Sequence, residues 1–154
     1  MNGDGTGANV LGLFNQTGIA KTTVTGPITR TVVDAAVQAV EERNYTPNVC
    51  VLSPANWHAL SLEQASTSGV WLGAPESSEN LTYLASSAVA DTEACVGDFS
   101  MYAVGMKSGL RLELNRLDST SWGNDLTSFR AVFRLDGAPM DPAAFQIMDG
   151  LTIA

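Results

Sequence analysis

A search for catalytic or metal-binding chemistry in this 154-residue chain begins with its one histidine, His58. Imidazole is the usual acid–base group near neutral pH and a common zinc ligand. No cysteine or second histidine stands at zinc-ligand spacing from it, and no Gly-x-Ser-x-Gly elbow occurs among the many serines. We therefore expect His58 to be a surface or structural residue and the chain not to be an enzyme.

Two glycine-containing segments resemble ligand-binding loops but lack essential parts. Asp4 lies in Gly3–Gly7 (Gly-Asp-Gly-Thr-Gly), without the further acidic ligands and closing glutamate of a calcium loop, so a tight turn is predicted. The segment Gly105–Gly109 contains Lys-Ser but not the glycine spacing that cradles a phosphate, and it is interpreted as a hairpin turn. No cofactor or metal is expected.

Composition and charge limit the possible partners. With 45% hydrophobic and 16% charged residues the chain is globular, and its apolar runs are far shorter than the roughly 20 residues of a membrane helix. The formal charge of −8 argues against tight nucleic-acid binding. Ten of the sixteen acidic residues but only three of the eight basic ones precede Lys107, which divides the chain in two. Cys50 and Cys95 lie in apolar runs and are predicted to be buried free thiols.

The first half of the chain predicts two helices around a buried strand. Apolar residues recur at helical spacing from about Thr31 to Arg43, and Thr31 with Asp34 resembles a capping box. Val49–Leu52 is typical of a strand buried on both faces. Ser53-Pro54 then begins a second helix, on which Trp57 and Leu60 share the buried face. Residues 1–28 are expected to be irregular, with at most a short strand.

The second half predicts strands after a polar loop. The loop, Glu63–Asn80, carries an apolar island, Val70-Trp71-Leu72. Alternation of Leu110, Leu112 and Leu114 with charged residues predicts a strand with one dry face. The fold class is α+β, with a mixed or antiparallel sheet flanked by two main helices. Strand-like runs occur at 81–84, 94–96, 101–104, 110–114, 126–135 (followed by a turn at Asp136-Gly137) and 145–148.

Four stretches together resemble the major capsid proteins of tailed bacteriophages, which have the Hong Kong 97-type fold. They are Asn2–Gly7 (Asn-Gly-Asp-Gly-Thr-Gly), Ser53–Leu60 (Ser-Pro-Ala-Asn-Trp-His-Ala-Leu), Val96–Ser100 (Val-Gly-Asp-Phe-Ser) and Phe129–Gly137, running on to Pro142–Phe145. The resemblance implies an axial domain over 1–107 with 139–154 and a peripheral-domain segment over 108–138. The family's N-terminal arm, extended loop and spine helix would precede Met1, so the isolated chain is expected to fold without building closed shells.

The resemblance implies a structural subunit of a viral (prophage) icosahedral capsid, packed with identical subunits in pentamers and hexamers around DNA. Its locations would be the virion and, during assembly, the bacterial cytoplasm. Val70, Trp71 and Leu72 are the candidate subunit interface, because tryptophan is enriched at interface centres. Asp125 stands about where some members carry a cross-linking asparagine, and no cross-link is predicted. One alternative is an encapsulin-like nanocompartment shell protein enclosing cargo protein, and another is a small hydrolase or binding module.

Overall fold

The computed structural model describes residues 3–7, 9–64, 69–70, 73, 76–115 and 127–153. The chain divides into two compact units: Met1–Ala103 with Ala138–Ala154, here called the α/β unit, and Val104–Gly137, here called the ribbon unit. In chain order the elements are β1 (Ala20–Gly26), α1 (Arg30–Glu41), β2 (Val49–Leu52), α2 (Pro54–Ser61), β3 (Thr82–Ala85), β4 (Glu93–Gly97), β5 (Tyr102–Asn115), β6 (Ser128–Pro139) and β7 (Phe145–Leu151).

Five strands form a mixed sheet in the order β1-β7-β4-β2-β3, and β5 pairs with β6 in a separate two-stranded sheet. The pairs β1–β7 and β2–β3 are parallel, whereas β2–β4 and β4–β7 are antiparallel. The predicted α+β class is therefore confirmed, with the mixed form of the sheet. None of the helices in the described residues is long and apolar enough to cross a membrane.

Each face of the five-stranded sheet carries its own hydrophobic core. Both helices contribute to the first core, through Val33 and Val37 of α1 and Leu60 of α2. Leu13, Phe14 and Ile19 of the N-terminal segment contribute to the second. Within the described part of 1–28 there is more regular structure than expected, since Leu13–Asn15 forms a 3-10 turn with Leu13 and Phe14 buried, and β1 has seven residues.

The two cysteines lie on opposite faces of the sheet. Cys50 belongs to the first core and Cys95 to the second, and both are buried free thiols, as predicted. Burial raises the pKa of the Cys50 thiol to about 12 and raises the pKa of Cys95 as well. Both thiols are therefore protonated at neutral pH and unsuited to act as nucleophiles.

The helix α1 begins one residue earlier than predicted, and its cap is different. Thr29, not Thr31, is the N-cap, and its Oγ1 accepts a hydrogen bond from the Val32 amide at 3.3 Å. A second acceptor comes from far along the chain, because the Arg30 amide donates to Glu63 Oε2 at 2.8 Å. The predicted capping box at Thr31 is therefore wrong, and a carboxylate at the positive end of the helix replaces it.

The helix α2 begins as predicted. Ser53 Oγ accepts from the Asn56 amide at 3.3 Å, and Pro54 occupies the first turn. Leu60 is fully buried, but Trp57 is only half-buried and stacks on Tyr83 with ring centroids 5.1 Å apart. The predicted burial is therefore confirmed for Leu60 and only partly confirmed for Trp57.

The strand β5 runs without a break through the segment interpreted as a hairpin turn. Gly105–Gly109 is extended and continuous with the run 110–114, and β6 likewise continues through Asp136-Gly137 to Pro139. Both turn predictions are wrong. Backbone pairing between two long strands overrides the local preference of glycine for turns.

The glycine of the Val96–Ser100 motif marks a close approach of two strands. A Cβ at Gly97 would lie 2.5 Å from Phe145 Cδ1 and 2.8 Å from the Ala144 carbonyl oxygen, so no larger residue fits there. Phe99 packs edge-on against the Phe145 ring at 5.3 Å. The motif resembling capsid proteins therefore has a packing role, joining β4 to β7.

Candidate assembly interface

The ribbon unit exposes most of the apolar side chains of β5 and β6. Because successive side chains of a strand point to opposite faces, Leu110, Leu112 and Leu114 share one face of β5. Leu112 is 70% exposed and Phe129 on β6 is 75% exposed. The other exposed apolar residues of the two strands are Val104, Met106, Leu110, Leu114, Phe133 and Leu135. The dry side predicted for 110–114 is thus uncovered, and a surface of this kind marks an interaction site.

The alternate positions of the ribbon unit form a basic face. Lys107 and Arg111 of β5 and Arg130 and Arg134 of β6 line a depression of about 400 Å³ together with Glu113 and Val132. Arg111 Nε lies 3.1 Å from Glu113 Oε1, and Arg130 Nη2 lies 2.5 Å from Glu113 Oε2. One carboxylate is therefore shared by two guanidinium groups. The basic and apolar residues alternate along the sequence. This pattern alone predicts an amphipathic ribbon, although sequence reasoning identified it only over 110–114.

Of the candidate interface residues, only Val70 can be placed. It is 63% exposed, whereas Trp71 and Leu72 lie outside the described residues. Downstream in the same segment, Glu76–Ser78 forms a 3-10 turn, and Ser77 Oγ donates a hydrogen bond to the Asp34 carboxylate of α1. The interface prediction for Val70, Trp71 and Leu72 therefore stays a prediction.

The residues considered for chemistry are not assembled into a site. His58 is exposed in the last turn of α2, in line with the surface role expected for it. Asp4 forms the tight turn that was predicted: its carboxylate accepts from the Thr6 amide and hydroxyl and from Asn9 Nδ2, which lowers its pKa to about 2. Among the described residues, no group of three or more histidine, cysteine, aspartate or glutamate side chains could hold a metal ion.

A partly buried polar network links the segment after α1 to β7, and sequence reasoning did not identify it. The Arg43 guanidinium donates to the carbonyls of Ala143 and Phe145 at 3.3 and 3.2 Å and to Gln146 Oε1 at 2.6 Å. Gln146 in turn donates from Nε2 to Thr22 Oγ1 at 3.0 Å. These bonds join segments about a hundred residues apart, which no local pattern signals.

Solved structures show which fold this is. The chain superimposes on the capsid of an empty GTA particle with a TM-score of 0.75 at 17% identity, covering 97% of this chain and 58% of that one. A structure from Mycobacterium phage Ogopogo gives 0.66 at 18% identity, with 94% and 56% covered. The SrpI encapsulin of Synechococcus elongatus PCC 7942 gives 0.64 at 13% identity, with 94% and 57% covered. The fold is that of the Hong Kong 97-type capsid proteins.

The model of the phage capsid family matches residues 1–150, and the chain belongs to that family. It spans a little more than half the length of the solved structures that it matches. No curated protein matches it significantly. Because encapsulins share the fold, the family match, and not the superposition, favours the phage relatives.

Proposed function

We propose that the chain is a structural, non-enzymatic subunit of a bacteriophage icosahedral capsid, located in the virion and assembled in the bacterial cytoplasm. The observation that carries this proposal is the match to the phage capsid family over residues 1–150, and the uncovered apolar face of the ribbon unit, which includes Leu112 and Phe129, supports it. Burying apolar surface contributes about 25 cal/mol per Å², so such a face favours association. In a shell, this apolar face would be covered by neighbouring copies or by chain segments corresponding to the additional length of the matched structures.

The two compact units support a proposal that the chain contributes to two domains with different positions in the shell. We assign 1–107 with 139–154 to the axial domain around the five- and six-fold axes and 108–138 to the peripheral domain, as the resemblance implies. A ring of identical subunits uses two different surfaces of each copy. We place Val70, Trp71 and Leu72 in the contact near the axis, where Trp71→Ala should weaken ring formation without affecting folding.

The test is the composition of particles made by the host that carries the gene. After induction, particles are purified by density gradient, and their proteins are quantified by mass spectrometry. We expect this chain's peptides to be the most abundant component of particles that contain DNA. Recovery of its peptides only from DNA-free particles filled with another protein would favour the encapsulin-like alternative. Absence from every particle fraction, with the protein present in the lysate, would refute both functions.

A further inference from the structure

Charge is distributed very unevenly between the two units. The ribbon unit holds five basic and four acidic residues, a formal charge of +1. The α/β unit holds three basic and twelve acidic residues, a formal charge of −9. The net charge of the chain therefore conceals one strongly acidic unit and one unit with an excess of basic groups.

Four of the five basic groups of the ribbon unit lie on one face, and within the part of the unit that the structure describes they are only partly compensated. Lys107, Arg111, Arg130 and Arg134 line the same depression as a single carboxylate, that of Glu113. Within the described residues, Lys107 and Arg134 form no ion pair, whereas Arg111 and Arg130 both pair with Glu113. All four cationic side chains are exposed, so they are available to a partner. Their mutual repulsion decreases when further carboxylates approach.

The geometry points to an acidic protein surface as the partner. We infer that the basic face of the ribbon unit binds the acidic surface of the α/β unit of a second copy of this chain. Guanidinium groups form forked hydrogen bonds with carboxylates, and each copy offers exposed carboxylates such as Glu41, Glu42 and Asp91. The inference rests on the proposed function, since a shell holds identical copies side by side. The contact joins two different surfaces, the head-to-tail kind that generates rings.

Duplex DNA has phosphates that the same face could bind, but the charges favour the protein partner. The chain as a whole carries a formal charge of −8, which opposes association with a phosphate backbone. A second copy is also net negative, but it bears basic as well as acidic groups, so it brings carboxylates to the basic face with less repulsion than a uniformly anionic phosphate backbone does. Acidic protein surface is therefore the occupant to test, with DNA as the competing outcome.

The chain is well suited to zero-length cross-linking, because Lys107 and Lys21 are its only lysines. A carbodiimide joins a lysine amine to a carboxylate in direct contact with it. Equal amounts of ¹⁴N- and ¹⁵N-labelled protein are mixed, cross-linked and digested, so that mixed-isotope peptides identify bonds between copies. We expect Lys107 to be joined to aspartate or glutamate of the α/β unit of another copy, and Lys21, whose Nζ donates to the Phe14 carbonyl, to serve as the internal control.

A charge reversal at Arg134 provides the matched variant. Arg134→Glu should lower the yield of the Lys107 cross-link between copies roughly tenfold. A drop of this size is expected when the exposed attraction between residue 134 and the partner's carboxylates becomes a repulsion of similar size. Arg134→Lys should keep most of the yield, and raising NaCl from about 50 to about 500 mM should reduce the wild-type yield. An unchanged urea midpoint shows that the variants fold. A yield at Lys107 no higher than at Lys21, or one insensitive to Arg134→Glu, would overturn the inference.

Nucleic-acid binding is measured by fluorescence anisotropy with a labelled duplex of about 30 base pairs, the upper end of the roughly 20–30 base pairs of a typical bound site. Binding that is lost in Arg134→Glu, without a Lys107 cross-link between copies, would assign the basic face to DNA and overturn the inference. The result is separable from the particle test. If the particles are rich in this chain but the cross-link does not form, only the contact is refuted. If the cross-link forms but the chain is absent from particles, the contact is supported and the capsid role is refuted.

Discussion

Replacing Leu112 by alanine should leave the stability of the chain almost unchanged, whereas the same replacement at Leu60 should be strongly destabilising. Leu112 is 70% exposed on the ribbon unit, and Leu60 is 0% exposed in the core beneath α2. The two substitutions remove the same atoms, so the difference between them measures the environment. The pair therefore tests whether the apolar face of the ribbon unit is uncovered.

The magnitudes follow from burial. Full burial of a leucine side chain contributes about 1.5–3 kcal/mol, so the buried third of Leu112 accounts for about 0.5–1 kcal/mol at most. Truncating the fully buried Leu60 also leaves a cavity, and the expected loss is about 2–5 kcal/mol. Covering the rest of Leu112 against another molecule would contribute about 1–2 kcal/mol, which is roughly a five- to thirtyfold change in an association constant.

Two measurements check this. Urea unfolding followed by tryptophan fluorescence gives the loss of stability at each position, and sedimentation velocity over a concentration series gives self-association. Leu112→Ala should keep the wild-type midpoint to within the small loss above and should associate more weakly. If Leu112→Ala lost as much stability as Leu60→Ala, the face would be covered within the fold. The interface reasoning would then be wrong.

Three further substitutions test the α/β unit. Arg43→Met removes a charged, half-buried hydrogen-bonding group, so it should cost about 2–4 kcal/mol in urea unfolding, and a loss below about 0.5 kcal/mol would contradict the network. Tyr45 donates a hydrogen bond to Asp141 and lowers the pKa of that carboxyl. The stability that this bond contributes is therefore present above the ordinary aspartate pKa of 3.8 and is lost as the pH falls through the lowered pKa. The difference in stability between wild type and Tyr45→Phe should accordingly shrink in an acid denaturation series. Trp57→Ala should lower the free energy of unfolding by about 2–3 kcal/mol, which is less than the loss expected for a fully buried tryptophan, and His58→Ala should lower it by under about 0.5 kcal/mol. Equal shifts of the thermal midpoint in the two variants would contradict the orientation of α2.

Local physical chemistry explains which elements were predictable. The start of α2 follows from Ser53 and Pro54 alone, since a serine cap and a proline in the first turn act within three residues. The strand β2 follows from a short β-favouring run between turn residues. The tight turn at Asp4 likewise depends on side chains within five residues of it.

The errors occurred where distant residues decide the structure. β1 was missed because its partner, β7, lies far along the chain, with Ala20 paired to Gln146. The cap of α1 was misplaced because Glu63, thirty-three positions away from Arg30, supplies one of the acceptors. Gly105 was assigned to a turn because its preference is visible locally, whereas the pairing that keeps it extended is not.

The apolar and charged alternation of the sequence determined that β5 has two unlike faces, since successive side chains of a strand point in opposite directions. Only the tertiary structure decided what each face meets. In the described residues the leucines remain exposed, and Arg111 and Arg130 converge on Glu113 while Lys107 and Arg134 do not. Burial and ion pairing depend on which strands lie side by side, and that is a property of the folded chain and not of any one segment.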